Sequence, residues 1–122
     1  MYRNNRLRKN EEFQVIFKKG TSVANRQFVI YSLKKDGQEN FRVGVSVSKK
    51  MGNAVTRNRL RRTIKEAVRL RADEVRQDVD FIIICRQPAV DLEFQSFKES
   101  LYHCMRKAKL FKELKKGKNT SS

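Results

Sequence analysis

The sequence has few of the residues on which protein-borne catalysis and metal binding depend. Among its 122 residues are one histidine, two cysteines and 13 acidic residues. His103 lies in a helical pattern beside Cys104, and we interpret it as a structural or surface residue rather than a general base. There is no glycine-rich loop to cradle a phosphate, and the scattered acids give little support for a paired-carboxylate metal site. We therefore predict no catalytic residue, no metal site and no bound cofactor on the protein.

Long apolar runs are also missing. No stretch approaches the roughly 20 apolar residues that span a bilayer. The basic N-terminus continues into Lys9 and Glu12, where a secretory signal would need its apolar segment. Cys85 and Cys104 lack metal-ligand spacing and fall in apolar patterns, so we expect reduced thiols in the core. These features predict a cytoplasmic protein without a membrane partner.

What the sequence has in excess is positive charge. Its 29 lysines and arginines leave a formal net charge of +16, a self-repulsion that a polyanionic partner would relieve. With 39% hydrophobic residues the chain can still form a core, and its length suits one domain. We predict a single domain over residues 1–122 with nucleic acid as its partner. Residues 1–9 are predicted to be a flexible basic lead-in and residues 115–122 a frayed polar tail.

The hydrophobic pattern predicts three helices and three strands in one α+β domain. Apolar residues recur at helical spacing in three segments, and β-branched and aromatic residues cluster in three others. The last strand is apolar on both faces and follows a helix, which predicts a strand–helix–strand crossover. The predicted helices cover about residues 10–19, 56–76 and 93–115, and the predicted strands residues 27–33, 41–48 and 79–86.

Local signals define the first helix and the strands that follow it. The side chain of Asn10 is predicted to cap the helix, and Gly20 to end it in the left-handed conformation. A turn signal at residues 34–37 predicts a hairpin between the first two strands. The second strand alternates, and its polar face is either an ordinary solvent face or a surface against which a ligand lies. That face carries Arg42, Gly44, Ser46 and Ser48.

A dense run of cations begins the second predicted helix. Glu66 is the only acid nearby, and each cation in a first helical turn opposes the helix dipole at about 0.3 to 1 kcal/mol. At helical spacing these cations flank the apolar stripe that must face the core, so they form a rigid basic edge. We interpret this edge as a phosphate-contacting surface rather than a merely solvated charge run. The run contains Arg57, Arg59, Arg61, Arg62, Lys65 and Arg69, and helical spacing places Arg61, Arg62, Lys65 and Arg69 on the side that forms this edge.

Four aromatic side chains leave two interpretations open. Phe13, Phe17, Phe28 and Tyr31 can all belong to the core, where aromatic side chains usually lie. The stripe of the first helix is short and aromatic, however, and basic residues accompany it in sequence. This combination also suits stacking with the bases of single-stranded RNA. Composition does not decide between core packing and RNA contact.

Three segments resemble the protein component of bacterial ribonuclease P, and they stand in that family's order. They are residues 7–13, 20–28 and 46–62, and the likeness extends over about residues 6–108. The last segment contains Arg57-Asn58-Arg59 and resembles the RNR signature of the family. The resemblance implies the order α-β-β-β-α-β-α, a mixed four-stranded sheet and an uncommon left-handed β-α-β crossover, as in the second domain of a small-subunit ribosomal protein.

The resemblance also implies a function and its residues. The chain would be the ribonuclease P subunit that binds the catalytic RNA and the single-stranded 5′ leader of precursor tRNA, while RNA-bound magnesium ions activate water. Lys65 stands where relatives often carry arginine, which keeps the charge but loses the bidentate fork. The residues implied for the RNA subunit are Lys49, Lys50, Arg57, Asn58, Arg59, Arg61, Arg62 and Lys65. Those for the leader are Phe13, Phe17, Tyr31, Arg42, Ser46 and Ser48.

Charge alone leaves two other functions to consider. A ribosomal or ribosome-associated RNA-binding protein without an enzymatic role would carry the same basic surface and cofractionate with a ribosomal subunit. A DNA-binding architectural protein would need duplex recognition, but no dimerising heptads or groove-reading motif accompany the basic helix. We therefore keep the ribosomal alternative and expect no DNA partner.

Overall fold

The computed structural model describes residues 5–112, which form three helices and one four-stranded sheet. The order α-β-β-β-α-β-α and the α+β class are confirmed. Residues 1–4 of the predicted lead-in and the predicted tail at 115–122 lie outside the described residues. The helices are α1 (Asn10–Lys19), α2 (Ala54–Leu70) and α3 (Phe94–Lys107), and the strands are β1 (Thr21–Ala24), β2 (Phe28–Lys34), β3 (Arg42–Ser46) and β4 (Val79–Cys85).

The strands lie in the order β1-β2-β4-β3, so the predicted hairpin between β2 and β3 is wrong. β4 pairs with β2 antiparallel and with β3 parallel. It is almost wholly buried, and a strand that is apolar on both faces belongs inside a sheet rather than at its edge. The parallel pairing across α2 confirms the strand–helix–strand crossover, while its left-handedness stays a prediction.

Each face of the sheet is covered differently. The face under α2 and α3, called here the core face, holds the main hydrophobic core, which includes Phe28, Phe81 and Leu101. The opposite face, called here the α1 face, carries a smaller cluster of Leu7, Ile16 and Ile82 beneath α1. Among the described residues, only the ten-residue helix α1 packs on this face of four strands, so residues 5–112 leave part of the α1 face uncovered.

Residues 5–7 extend the sheet beyond β3. The backbone N–H of Leu7 donates to the carbonyl of Val43 at 3.1 Å, and Arg6 forms a parallel bridge with the same residue. The side-chain amide of Asn5 donates to the carbonyl of Phe41 at 2.7 Å. Asn5 and Leu7 are both buried. This part of the predicted flexible lead-in is therefore packed along the outer edge of β3.

Both ends of α1 form by mechanisms other than those predicted. Asn10 is the first helical residue rather than the cap, and the Glu12 carboxylate instead accepts the backbone N–H groups of Arg8 and Lys9 at 3.0 and 3.2 Å. Gly20 has φ −80°, so it is not left-handed. A Cβ at Gly20 would clash with carbonyl oxygens of β2 and α1. Glycine is needed there because the chain passes close to β2, not because the helix ends in a left-handed residue.

Candidate RNA-binding surfaces

The first half of α2 is a rigid frame for exposed cations. The Asn53 side chain caps the helix by accepting the backbone N–H of Thr56 at 2.9 Å, so α2 begins two residues earlier than predicted. Leu60 and Ile64 are fully buried and hold the other side of the helix against the core. The cap and the core contacts together hold the cationic side outward.

In the first part of α2, the cations that form a hydrogen bond within the described residues donate it to a neutral acceptor, and the others form none there. Among residues 5–112, the side chains of Arg62 and Lys65 have no hydrogen bond or ion pair, so their charges are uncompensated. The remaining contacts are Arg57 Nε to the Gly52 carbonyl at 3.2 Å, Arg59 Nη2 to the Val90 carbonyl at 3.4 Å and Arg61 Nη1 to Asn58 Oδ1 at 2.8 Å.

Arg69 differs from the other cations of α2. Its Nη2 lies 2.6 Å from Glu66 Oε2 and its Nε 3.0 Å from Glu66 Oε1. The hydrogen bonds from Arg69 lower the pKa of Glu66. The only acid in the run therefore neutralises Arg69, and the uncompensated charge of α2 lies between Arg57 and Lys65.

Lys65 lies beside a small pocket where α2 meets the residues ahead of α1. Arg6, Arg61 and Lys65 line this pocket together with Phe13 and Gly44. Partial burial lowers the pKa of Lys65, and the charges of Arg6 and Arg61 lower it further. The sequence pattern does not single out Arg6. Its only signal is the basic composition of residues 1–9, since tertiary packing alone brings it to α2.

The structure separates the four aromatic residues whose role the sequence left open. Phe28 is fully buried and packs edge-on against Phe97, so it belongs to the core. Phe17 packs edge-on against Tyr31 with ring centroids 4.9 Å apart, yet it remains 43% exposed. Phe13 is half-buried, and its ring occupies the space above Gly44 that a Cβ would fill. On the α1 face, Phe17 and Tyr31 therefore pack on each other and Phe13 packs over Gly44, and all three keep accessible surface.

One row of side chains on the α1 face lies beyond this helix. The strand register places Ala24, Val29, Ile84 and Ser46 side by side across the four strands. All four are partly or fully exposed, whereas the neighbouring row holds Tyr31 and the buried Ile82 beneath α1. This row and the accessible rings beside it form a partly exposed surface next to α1, called here the α1 cleft.

The α1 cleft ends near the start of α2. Ser48 is exposed just beyond β3, and Lys49 and Lys50 follow in the short 3-10 turn Lys49–Met51. Both lysines are exposed, and their side chains have no ion pair among residues 5–112. The cleft and the basic edge of α2 are therefore adjacent, and these two lysines lie between them in the chain.

Arg42 lies at the other end of β3, and its guanidinium is bound to two acids. Nη2 and Nε lie 2.6 and 3.0 Å from the carboxylate of Asp80, and Nη1 lies 2.7 Å from Glu12 Oε2. Asp80 is only 1% exposed. Hydrogen bonds from the backbone of Arg8 and Lys9, with a further contribution from Arg42, lower the pKa of Glu12 to about 2. Arg42 therefore connects α1 to the sheet.

Other chemical groups of the described region are less informative. No cluster of three or more histidine, cysteine or acidic side chains occurs within residues 5–112. Cys85 and Cys104 are buried in the main core as predicted, and burial raises the pKa of the Cys85 thiol to about 11. None of the three helices is long and apolar enough to cross a membrane.

Known proteins resemble the chain in sequence and in structure. The Ribonuclease P family model matches residues 1–109. The ribonuclease P protein component of Bacillus velezensis is 56% identical over 113 residues, which is 93% of this chain and 97% of that protein. The Staphylococcus aureus RNase P protein superposes with a TM-score of 0.83 at 45% identity, covering 88% of this chain and 98% of that one. The Thermotoga maritima RNase P protein gives a TM-score of 0.77 at 30% identity, covering 84% and 96%.

These matches extend over almost the whole chain rather than over the basic helix alone. They carry the same name in curated relatives and in solved structures, and they do not favour the ribosomal alternative. The chain therefore belongs to the ribonuclease P protein family, as the protein subunit of an endoribonuclease whose RNA carries the catalysis.

Proposed function

We propose that this subunit binds the catalytic RNA through the basic edge of α2 and the single-stranded 5′ leader of precursor tRNA through the α1 cleft. It thereby assists the RNA in removing the leader, in the cytoplasm. The observation that carries the proposal is the adjacency of two different surfaces. One is an uncompensated cationic edge on a rigid helix, and the other is an open cleft with accessible aromatic rings.

The α2 surface suits a folded RNA. Its cations are held on a capped, core-anchored helix, so little backbone order remains to be gained on binding. RNA phosphates would pair with the cations that have no acidic partner among the described residues, and each neutralised phosphate releases counterions. The proposed contacts are Lys49, Lys50, Arg57, Asn58, Arg59, Arg61, Arg62 and Lys65.

The α1 cleft suits an extended, unpaired strand. Aromatic rings with accessible faces stack on any base, and serine hydroxyls both donate and accept hydrogen bonds. The proposed contacts are Phe13, Phe17, Tyr31, Ser46 and Ser48. We assign Arg42 to the same function as a positioning residue, because its guanidinium binds Asp80 and Glu12 and so sets where α1 lies.

The chemistry is divided between the protein and the RNA. Mg²⁺ takes oxygen ligands from carboxylates and phosphates, and residues 5–112 offer no cluster of three or more acidic, histidine or cysteine side chains. We therefore assign the magnesium ions of the reaction to the RNA. The protein contributes positive charge that reduces repulsion between RNA phosphates, and it holds the leader in place.

The test is cleavage of a leader-bearing precursor tRNA by a bacterial ribonuclease P RNA at low magnesium, with and without the protein. We expect the protein to stimulate cleavage and to cleave nothing alone. Cleavage by the protein alone would contradict the division of labour. A lack of stimulation in correctly folded mixtures would contradict the proposed function as a whole.

A further inference from the structure

The pocket between α2 and the segment ahead of α1 gathers three cations and no acid. Arg6, Arg61 and Lys65 line it, and the remaining walls are formed by Leu7, Phe13, Val43, Gly44 and Val45. Within residues 5–112, the side chains of Arg6 and Lys65 have no hydrogen bond or ion pair. Arg61 donates only to the neutral amide of Asn58, at 2.8 Å. Residues 5–112 therefore leave the positive charge around this pocket uncompensated.

Packing holds these cations together. Arg6 is placed by its bridge to Val43 and by the 3.1 Å hydrogen bond from Leu7 to the same residue. Arg6 is exposed between the buried residues Asn5 and Leu7, so its side chain lies at the surface, where it lines the pocket. Arg61 and Lys65 are four residues apart on α2 and share one helix face.

The arrangement is unfavourable in the free protein. Like charges at close range repel, and the pKa of Lys65 is lowered by partial burial and by Arg6 and Arg61. An anion in the pocket would remove this repulsion and accept hydrogen bonds from all three side chains. A site preorganised in this way binds an anion without having to collect its ligands first.

We propose that this pocket binds one RNA backbone phosphate, with Arg6 as a ligand beside Arg61 and Lys65. The inference rests on the proposed function and extends it to a residue outside the RNR helix. The guanidinium of Arg6 can form the bidentate contact that the ammonium of Lys65 cannot. Because Phe13 lines the same pocket, the phosphate lies where the basic edge of α2 meets the α1 cleft.

The first experiment compares Arg6→Ala with Arg106→Ala in the full chain. Arg106 is an exposed cation in the last turn of α3, which packs on the core face, so the control removes the same charge at a distant place. Affinity for the RNA subunit is measured over a range of salt concentrations. Affinity of the assembled holoenzyme for precursor and for mature tRNA is then measured at saturating RNA subunit.

We expect Arg6→Ala to weaken one of these affinities at least about tenfold and to reduce the magnitude of its salt slope by about 1, with at most a small effect of the control. Weaker binding of the RNA subunit identifies its backbone as the source of the phosphate. A loss confined to leader-bearing precursor identifies the leader. Equal effects of the two variants, or none, would overturn the proposal.

A second experiment uses the protein alone, so its result is independent of ribonuclease P activity. NMR titration of the Lys65 side chain measures its pKa with and without inorganic phosphate. We expect phosphate to raise the pKa of Lys65 in the wild type and to have a much smaller effect in Arg6→Ala. Arg6→Ala without phosphate should also raise this pKa, because one repelling charge is gone. If phosphate left the pKa of Lys65 unchanged, the proposal of a phosphate site in this pocket would be overturned, even if the protein stimulates cleavage.

Discussion

Arg42 on β3 and Asp80 on β4 are directly opposite in the parallel register and form a two-point ion pair, with Nη2–Oδ2 at 2.6 Å and Nε–Oδ1 at 3.0 Å. The remaining guanidinium nitrogen lies 2.7 Å from Glu12, whose carboxylate also caps α1. Asp80, a buried acid of the sheet, therefore holds Arg42, and Arg42 in turn holds the start of α1 on the α1 face.

Arg42→Met should destabilise the protein strongly. The change leaves the Asp80 carboxylate buried without its main partner, and breaking a buried pair on one side typically costs about 3–5 kcal/mol. Chemical denaturation measures the free energy of unfolding. Asp36→Asn is the control, because its pair with Lys34 spans 3.6 Å with both side chains largely exposed, and it should cost at most about 1 kcal/mol. Equal costs for the two variants would contradict the role given to Arg42.

Glu12 should make the stability of the protein depend on acid pH. Its pKa is lowered from 4.5 to about 2 in the folded state, so folding is favoured by the ionised form. The stabilisation is fully present above pH 4.5 and is lost as the pH falls toward 2. Unfolding free energies of the wild type and Glu12→Gln should therefore differ at neutral pH and converge across this interval. A difference that stays constant with pH would show that Glu12 is not the titrating group.

Arg62→Ala should weaken binding of the RNA subunit and reduce the magnitude of the salt slope by about 1. Arg62 is exposed and has no ion pair among the described residues, so its charge is available for a phosphate. The matched control is the double variant Glu66→Gln with Arg69→Gln, which removes an existing ion pair without changing net charge. Fluorescence titration at several salt concentrations measures both quantities. An unchanged slope for Arg62→Ala would exclude it as a phosphate contact.

Phe17→Ala should lower affinity for leader-bearing precursor tRNA more than for mature tRNA. Stacking contributes about 1–3 kcal/mol per base, and Phe17 is 43% exposed beside the α1 cleft. Phe94→Ala is the control, because Phe94 is similarly exposed, at 45%, on α3 on the other side of the sheet. Binding of both RNAs by the holoenzyme is measured for each variant. Equal losses for precursor and mature tRNA would assign Phe17 to packing alone.

Local sequence patterns predicted the elements whose hydrophobic periodicity extends over many residues. They failed to predict the strand order, which depends on a segment distant in the chain. The three helices and β4 are confirmed because their apolar residues repeat over many positions. The predicted ends of two helices are wrong, since α2 ends at Leu70 rather than near residue 76 and α3 ends at Lys107 rather than near residue 115. β1 is not identified by residue pattern, since it is four residues long and mostly exposed, and only the family resemblance implies it. The predicted hairpin is wrong because a turn signal at residues 34–37 carries no information about β4, which enters between β2 and β3 later in the chain.

Sequence alone indicates nucleic acid as the class of partner, the basic edge of α2 and the family resemblance. These depend on composition, helical spacing and contiguous motifs, which are local properties of a chain. The tertiary structure alone decided that Phe28 is core while Phe17 remains accessible, that Glu66 neutralises Arg69 rather than its neighbours, and that Arg6 joins Arg61 and Lys65. Burial of a side chain and the net charge around it depend on which distant segments of the chain come into contact. Those contacts are set by packing across the sheet.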